Sequence, residues 1–424
     1  MSNSNRDAAT LDAADTLAPL RERFDLPVGP DGTPAIYLCG NSLGPMPKAA
    51  AAEVESVLRQ WSTLAVHGHH QGEHPWLVYH RRFTESLARL VGAEPMEVVA
   101  MNTLTANLHL LLASFYRPSG MRDRILIEAG SFPSDRHAVA SQLAWHHRST
   151  EQSLIEVSPS TPLGQWSTHD FIAAIEAAGE TLALVLLPGV QYRNGQVLDI
   201  AAITAAAHRV GAVAGFDLAH SVGNVPLTLH DDGVDFAVWC HYKYVSAGPG
   251  AVAGAFVHAR HGTRSDLPRL AGWWGHDLAT RFKMGPEFHP TPGADGWQVS
   301  NPPILSLAPL AASLAVFDDA GMERLRAKSD ALDAFARQLI RDRCGARIEI
   351  LTPDRPAERG CQLSLRVVGG RELGRRTFQR LESRGVIGDW REPDVIRIAP
   401  MPLYTRFADV DRAIHLLAEA LVDA

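Results

Sequence analysis

Apolar positions along this chain follow two rhythms. From residue 98 onward, short runs that are apolar almost without interruption alternate with stretches of helical spacing. The runs are VVAM (98–101), RILIE (124–128), LALVLL (182–187), AVAGF (212–216), VDFAVW (234–239) and AVAGAFV (251–257). Strands apolar on both faces are those covered by helices on both sides, so the pattern predicts an α/β layer around a mostly parallel sheet. DIAAITAAAHRVG is the clearest crossover helix, with Asp199 placed to cap its start and Gly211 to end it.

Elsewhere the spacing is helical. Leu11, Ala14, Leu17, Leu20 and Phe24 predict an amphipathic helix over 9–24, and further helices are expected over 47–62 and 76–91. Past residue 305 the texture changes to a long helical region (306–343), then RIEIL, QLSLRVV, a helix at 372–385, VIRIA and a final helix. That is a compact α+β unit. The expected division is a large α/β domain over 51–305 and a small α+β domain built from 1–50 and 306–424.

Composition narrows the function classes. A chain of 424 residues exceeds one simple core. Hydrophobic residues at 46% and charged residues at 21% are ordinary globular values. The net charge of -7, with arginines scattered among acids, speaks against nucleic-acid binding. Four cysteines without a CxxC pair point to a reduced compartment. The first residues lack the basic-then-apolar order of a signal peptide, and no apolar run approaches the ~20 residues of a membrane span. The expectation is a cytoplasmic protein acting on a small molecule, with no nucleic-acid or membrane partner.

The chemistry concentrates in GFDLAHSVGNVPLTLHDDGVDFAVWCHYKYVSAGPG. Asp217 ends a buried strand, at the edge where open α/β sheets place ligands. One strand later comes Lys243 between Tyr242 and Tyr244. Apolar surroundings disfavour the charged ammonium and leave a better nucleophile. Pyridoxal phosphate chemistry requires such a Schiff-base lysine together with an acid against the pyridinium nitrogen. Each residue alone reads more readily as a surface lysine or a turn-capping aspartate; it is the pair with its flanking strands that points to the cofactor. AMNTLTANLHLLLASF adds a helix N-terminus, opened by Asn102, Thr103, Leu104 and Thr105, that suits a phosphate.

These segments resemble the kynureninases, a family of fold-type-I pyridoxal phosphate enzymes in the class V aminotransferase group. The likeness runs from YLCGNSLGPMP to IRIAPMPLY and rests on GHHQGEHPW, MNTLTANLHLLLASFY, FPSDRHAV, GFDLAHSVGNVPL, VDFAVWCHYKYVSAGPGAVAGAFVH, GWWGHDLATRFKM and SNPPILSL. It implies a fold-type-I transferase architecture and a homodimer with shared active sites. It also implies hydrolytic Cβ–Cγ cleavage of L-kynurenine or 3-hydroxy-L-kynurenine to an anthranilate and L-alanine. Position by position, Lys243 would carry the cofactor and take the Cα proton, Asp217 would pair with the ring nitrogen, and His220 would lie close by. Leu104 and Thr105 match the phosphate-side turn, and Phe132 the residue stacked on the ring, with Pro133, Ser134 and Asp135 beside it. Tyr242, Trp273 and Asn301 match cofactor-proximal positions, some expected from a neighbouring subunit, and Arg397 the clamp on the substrate carboxylate. Pro188 stands where the family commonly has Ser or Thr, so one polar cofactor contact is expected to be lost or taken by water. Tyr242 is the candidate acid/base for the γ-carbonyl, against a purely structural phenol.

His67, His69, His70 and His74 crowd one loop beside Glu73, yet lack the spacing of a metal motif, and no metal is expected. The resemblance implies His69, with Ser300 and Asn301, as the polar end of the aryl pocket, a set associated with the 3-hydroxylated substrate. Alternatives are a ring-substituted kynurenine as substrate, another class V enzyme (desulfurase, epimerase or lyase), or a non-catalytic cofactor-binding protein. The pathway implied is tryptophan catabolism through kynurenine, towards NAD biosynthesis or a specialised anthranilate product.

Overall fold

The structure, a computed structural model, describes residues 7–30, 32–264 and 266–422. At its centre is a seven-stranded sheet of β1 (Val98–Ala100), β2 (Arg124–Glu128), β3 (Leu154–Val157), β4 (Leu182–Pro188), β5 (Val213–Asp217), β6 (Phe236–Trp239) and β7 (Gly254–Val257), in spatial order β1-β7-β6-β5-β4-β2-β3. All neighbours are parallel except β7, which runs antiparallel between β1 and β6. The predicted apolar runs are these strands because every position of β1, β6 and β7 is buried. β3 was not predicted. It is the edge strand, paired only to β2, and its half-exposed Leu154 and Ile155 and exposed Glu156 break the apolar run. The parallel register sets Pro188 opposite Asp217, so the C-terminal ends of β4 and β5 share one edge, and β2 ends there at Glu128.

The crossover between β4 and β5 behaves as its sequence predicts. Asp199 Oδ1 accepts the Ala202 N–H at 2.9 Å at the start of the helix Ile200–Arg209, and Gly211 follows it at φ 76°.

Three helical expectations are corrected. The N-terminal helix over 9–24 is a short α-helix, Ala8–Ala13, then a 3₁₀ segment, Ala18–Arg23. Pro19 donates no N–H there, and the Asp15 carboxylate draws the Leu17 N–H at 2.8 Å out of helical bonding. The stretch 76–91 opens as 3₁₀ (Trp76–Phe83) before turning α-helical over Thr84–Val91. The long region 306–343 is two helices, Ile304–Ala320 and Met322–Arg343, bent by 80° at Gly321, whose φ of 74° ends the first. No single helix among the described residues is long and apolar enough to cross a membrane.

The bend also bears on the domain division. Leu307, Leu310, Leu314 and Phe317 pack in the core that holds Phe83, Leu87 and Val245, so the apolar core continues past residue 305. A second core begins at Leu332 and gathers Leu363, Ile396 and Ile414, with Leu38 joining from the N-terminal segment. It covers an antiparallel sheet of β8 (Ile348–Ile350), β9 (Leu363–Val367), β10 (Asp389–Arg391) and β11 (Val395–Ile398), in order β8-β9-β11-β10. Ile36–Tyr37 pairs in parallel with Val386–Ile387, which ties the chain's beginning to this unit.

Candidate functional site

Lys243 lies in the turn after β6, at the C-terminal edge of the sheet. The GNSLG segment closes over that turn. Gly44 donates its N–H to the Tyr242 carbonyl at 2.8 Å, and a Cβ at Gly44 would lie 2.5 Å from the Lys243 carbonyl oxygen, so no larger residue fits. Lys243 Nζ donates to His220 Nε2 at 3.2 Å. Burial holds the His220 imidazole well below its usual range, reinforced by the charges of Lys243, Arg397 and Arg391. His220 is therefore neutral, its Nδ1 buried and without a partner.

Asp217 ends β5. Its Oδ1 accepts the Ala219 N–H at 2.7 Å, and its carboxyl is hydrogen-bonded to that of Asp135. Burial raises the Asp135 carboxyl well above its usual range, followed by the adjacent Asp217 and Glu128 charges. Two buried carboxyls in contact share a proton. Burial raises the Asp217 carboxyl as well, but Lys243, the Ala219 N–H and Asp135 all pull it back, whereas Asp135 is pushed further up by Asp217, so Asp217 keeps the charge and Asp135 the proton. Glu128 lines the same cleft and is pushed up to about 8 by burial.

The phosphate-side residues form a cradle. Helix Leu104–Phe115 starts at Thr103 with no side-chain cap, and Asn102 turns into it at φ 46°. Helix Pro133–Trp145 starts at Phe132, with Pro133 in its first turn and no side-chain cap. Thr105 Oγ1 and Ser134 Oγ join the two helix starts at 2.8 Å. Two uncapped N-termini with two hydroxyls are suited to an anion. Between cradle and lysine lies the Phe132 ring, its centroid 5.8 Å from Lys243 Nζ and edge-to-face with Tyr192.

Nine of the predicted residues thus line one cleft: Leu104, Thr105, Phe132, Ser134, Asp135, Asp217, His220, Tyr242 and Lys243. Burial raises the Tyr242 phenol far above its ordinary range, with Cys240 and Asp217 adding to it, so it is a protonated donor. Pro188 presents a hydroxyl-free wall. Arg397 is 1% exposed and lies behind the cleft, donating to the Tyr192 carbonyl at 2.6 Å. Glu128 and Tyr192 were missed. Glu128 carried the same signal as Asp217, an acid ending a buried run; Tyr192, in a turn, carried none.

Four predicted residues lie elsewhere. Trp273 is 41% exposed and packs edge-to-face on Phe282, while Ser300 and Asn301 are exposed. His69 stands edge-to-face against Trp76 with Nδ1 buried and unpartnered. The histidine loop does not converge: His70 faces Phe282, and His74 faces Tyr79. Among the described residues, the group close enough to hold a metal is Glu97, His230 and His258, at the opposite edge of the sheet. Glu97 there already accepts the Glu94 and Ala259 N–H groups and His230 Nδ1.

An amine, a flat aromatic face, a charged carboxylate and an anion cradle, with Asp135 Oδ1 and His220 Nδ1 still unpartnered, fit pyridoxal phosphate. All four cysteines are buried, and burial pushes the thiols of Cys39 and Cys361 up to about 12 and that of Cys240 up to about 11. None offers the accessible thiolate a desulfurase requires.

Comparison with known proteins agrees. A family described as the kynureninase C-terminal domain matches residues 325–417. The kynureninase of Xanthomonas axonopodis pv. citri (strain 306) is 60% identical over 407 residues, 96% of each chain. That of Xanthomonas campestris pv. campestris (strain B100) is 60% identical over 414 residues, 97% of each chain. The cystine C-S lyase C-DES, in complex with cysteine persulfide, superposes with a TM-score of 0.75 at 20% identity, over 91% of this chain and 97% of its own. The cysteine desulfurase CsdA from Escherichia coli gives 0.76 at 15% identity, over 96% and 98%. At such identities those two solved structures speak for the fold alone, the fold-type-I architecture of pyridoxal phosphate enzymes.

Proposed function

The chain belongs to the kynureninase family, pyridoxal phosphate-dependent hydrolases that cleave a carbon–carbon bond of kynurenine, and we propose that the cleft around Lys243 is where it does so. The observation that carries the assignment is the convergence of Lys243, Phe132 and the Asp135–Asp217 pair in one cleft closed by two helix N-termini. When bound, pyridoxal phosphate supplies an electron sink for the bonds at Cα and Cβ of the substrate.

The residues divide the remaining work. Lys243 would hold the cofactor, and its amine, once free, would take the proton from Cα. Neutral His220 accepts from Lys243 Nζ, which aims the amine without adding a competing cation. Asp217 would hold its negative charge against the cofactor's ring nitrogen, with Asp135 donating to Asp217. Thr105, Ser134 and the two helix starts bind the phosphate. Tyr242, protonated at neutral pH, donates to the γ-carbonyl oxygen as water adds and the anthranilate leaves. Arg397 takes the α-carboxylate.

His69, Ser300 and Asn301 form the polar end of the aryl pocket, which accepts the 3-hydroxyl group. Purified enzyme is expected to release 3-hydroxyanthranilate and alanine from 3-hydroxykynurenine at least as efficiently as anthranilate from kynurenine. A tenfold or greater kcat/KM advantage for kynurenine, about 1.4 kcal/mol, would remove the pocket assignment. Failure to cleave either substrate would remove the reaction itself.

Trp273, Ser300 and Asn301 lie exposed, outside their own chain's cleft, which supports a homodimer in which each subunit completes the other's site. Lys243→Ala and a Trp273→Ala/Asn301→Ala double variant are each expected to be inactive. Mixed and re-equilibrated, they should regain about one quarter of wild-type activity, because half the dimers then hold one intact site. No regain on mixing, with hybrid dimers verified, would exclude shared sites. Four buried free thiols favour a reducing cytoplasm, where the enzyme serves tryptophan catabolism and NAD supply.

A further inference from the structure

The substrate-side arginine is not free to choose its orientation. Arg397 and Asp389 are register partners across the antiparallel pair β10–β11, so their side chains share one face. Arg397 Nε donates to Asp389 Oδ1 at 3.0 Å and Nη2 reaches Oδ2 at 2.8 Å, a bidentate side-on pair. Nη1 donates to the Tyr192 carbonyl at 2.6 Å. A guanidinium carries five N–H groups; after these three, one remains on Nη1 and one on Nη2. Those two are left for a further acceptor, and a carboxylate is the acceptor a guanidinium binds best.

Asp389 Oδ2 also meets a second guanidinium. Arg391 Nη2 donates to Asp389 Oδ2 at 2.9 Å, and Arg391 Nε is buried without a partner. Two guanidinium groups around one carboxylate leave a net charge of one positive, the complement of a single α-carboxylate. This group reaches the reaction centre: Tyr192 lines the cleft against Phe132, and the charges of Arg397 and Arg391 are both felt at His220.

We propose that Asp389 is the positioning residue for the substrate's α-carboxylate, locking the side-on edge of Arg397 and leaving its two remaining N–H groups for the carboxylate, with Arg391 bracing Asp389. The proposal rests on the reading of Arg397 as the carboxylate's partner and deepens it. Asparagine at 389 keeps the shape but offers one acceptor oxygen and turns an NH₂ towards a donor, which breaks the bidentate pair.

In cofactor-loaded Asp389→Asn, KM for kynurenine is expected to rise about tenfold while kcat stays within about threefold, the signature of lost binding rather than lost chemistry. Cofactor affinity and the bound cofactor's visible spectrum should match wild type. Binding of L-alanine, followed by that spectrum, should weaken about tenfold, whereas ethylamine, which lacks the carboxylate, should bind as before. Asp389→Glu keeps the charge and displaces it by one methylene; its KM should rise about threefold, and it also serves if the Asn variant fails to fold. Unchanged KM in both variants, or equal weakening of alanine and ethylamine, would overturn the proposal. Arg397→Gln separates the two readings. If it leaves KM unchanged, Arg397 is not the carboxylate's partner; if it raises KM while Asp389 substitutions do not, only the role of Asp389 falls.

Discussion

Replacing Lys243 by alanine is expected to lower kcat by roughly four orders of magnitude or more, because in the proposed mechanism one side chain both carries the cofactor and moves the Cα proton. No neighbour can take over. His220 Nε2 is 3.2 Å from the amine, but burial and the surrounding cations hold the imidazole far below its usual range, so it is a weak base. Tyr242 is held protonated by burial and cannot accept a proton either. Binding should survive, since the cradle of Thr105 and Ser134 and the Phe132 ring do not depend on the lysine. Cofactor titration should therefore give stoichiometric binding, while borohydride no longer attaches the cofactor to the chain. Added methylamine should restore part of the rate. A variant within a hundredfold of wild type would place the base elsewhere.

Asp217→Asn is expected to lower kcat about a thousandfold with a much smaller change in KM, within the span seen when a preorganised charge is removed from a dry site. The amide has the same shape and cannot stabilise positive charge on the ring nitrogen. The internal control is Asp135→Asn. Asp135 holds the proton of the pair and donates it to Asp217, and an amide can make the same donation, so its loss should cost only about tenfold. Equal effects of the two substitutions would mean that the charge is shared, and a larger effect at Asp135 would reverse the assignment. Glu128 makes the contrast sharper. A third carboxyl in the cleft, pushed up to about 8, stays largely neutral at physiological pH and cannot replace the lost charge.

Local pattern carried much of this. RILIE is the strand at the same five residues, and Asp199 and Gly211 bound their helix as their chemistry requires. The acid-ended run AVAGF-D and the lysine in the turn after the next strand marked the candidate site because both follow strands buried on two faces, where an unpaired charge would be costly. The same rule overlooked Glu128 only for want of a second partner in sequence. Where exposure interrupted the pattern it failed, as at the edge strand Leu154–Val157. It also failed at Gly321, where apolar spacing continued through a bend of 80° that only a positive φ reveals.

The sequence by itself determined the layered α/β class, the lysine–aspartate pair, the helix start at Thr103 and the likeness to kynureninases. Each is written in residues close together or in whole motifs, and burial periodicity is a local property. Only the tertiary structure decided that Asp135 holds the proton beside Asp217, that Glu128 and Tyr192 join the cleft, that Asp389 orients Arg397, and that Trp273 and Asn301 stand outside their own site. Protonation and aim depend on which groups share a dry space, and Arg397 meets the Tyr192 carbonyl across a separation of 205 residues that no periodicity records.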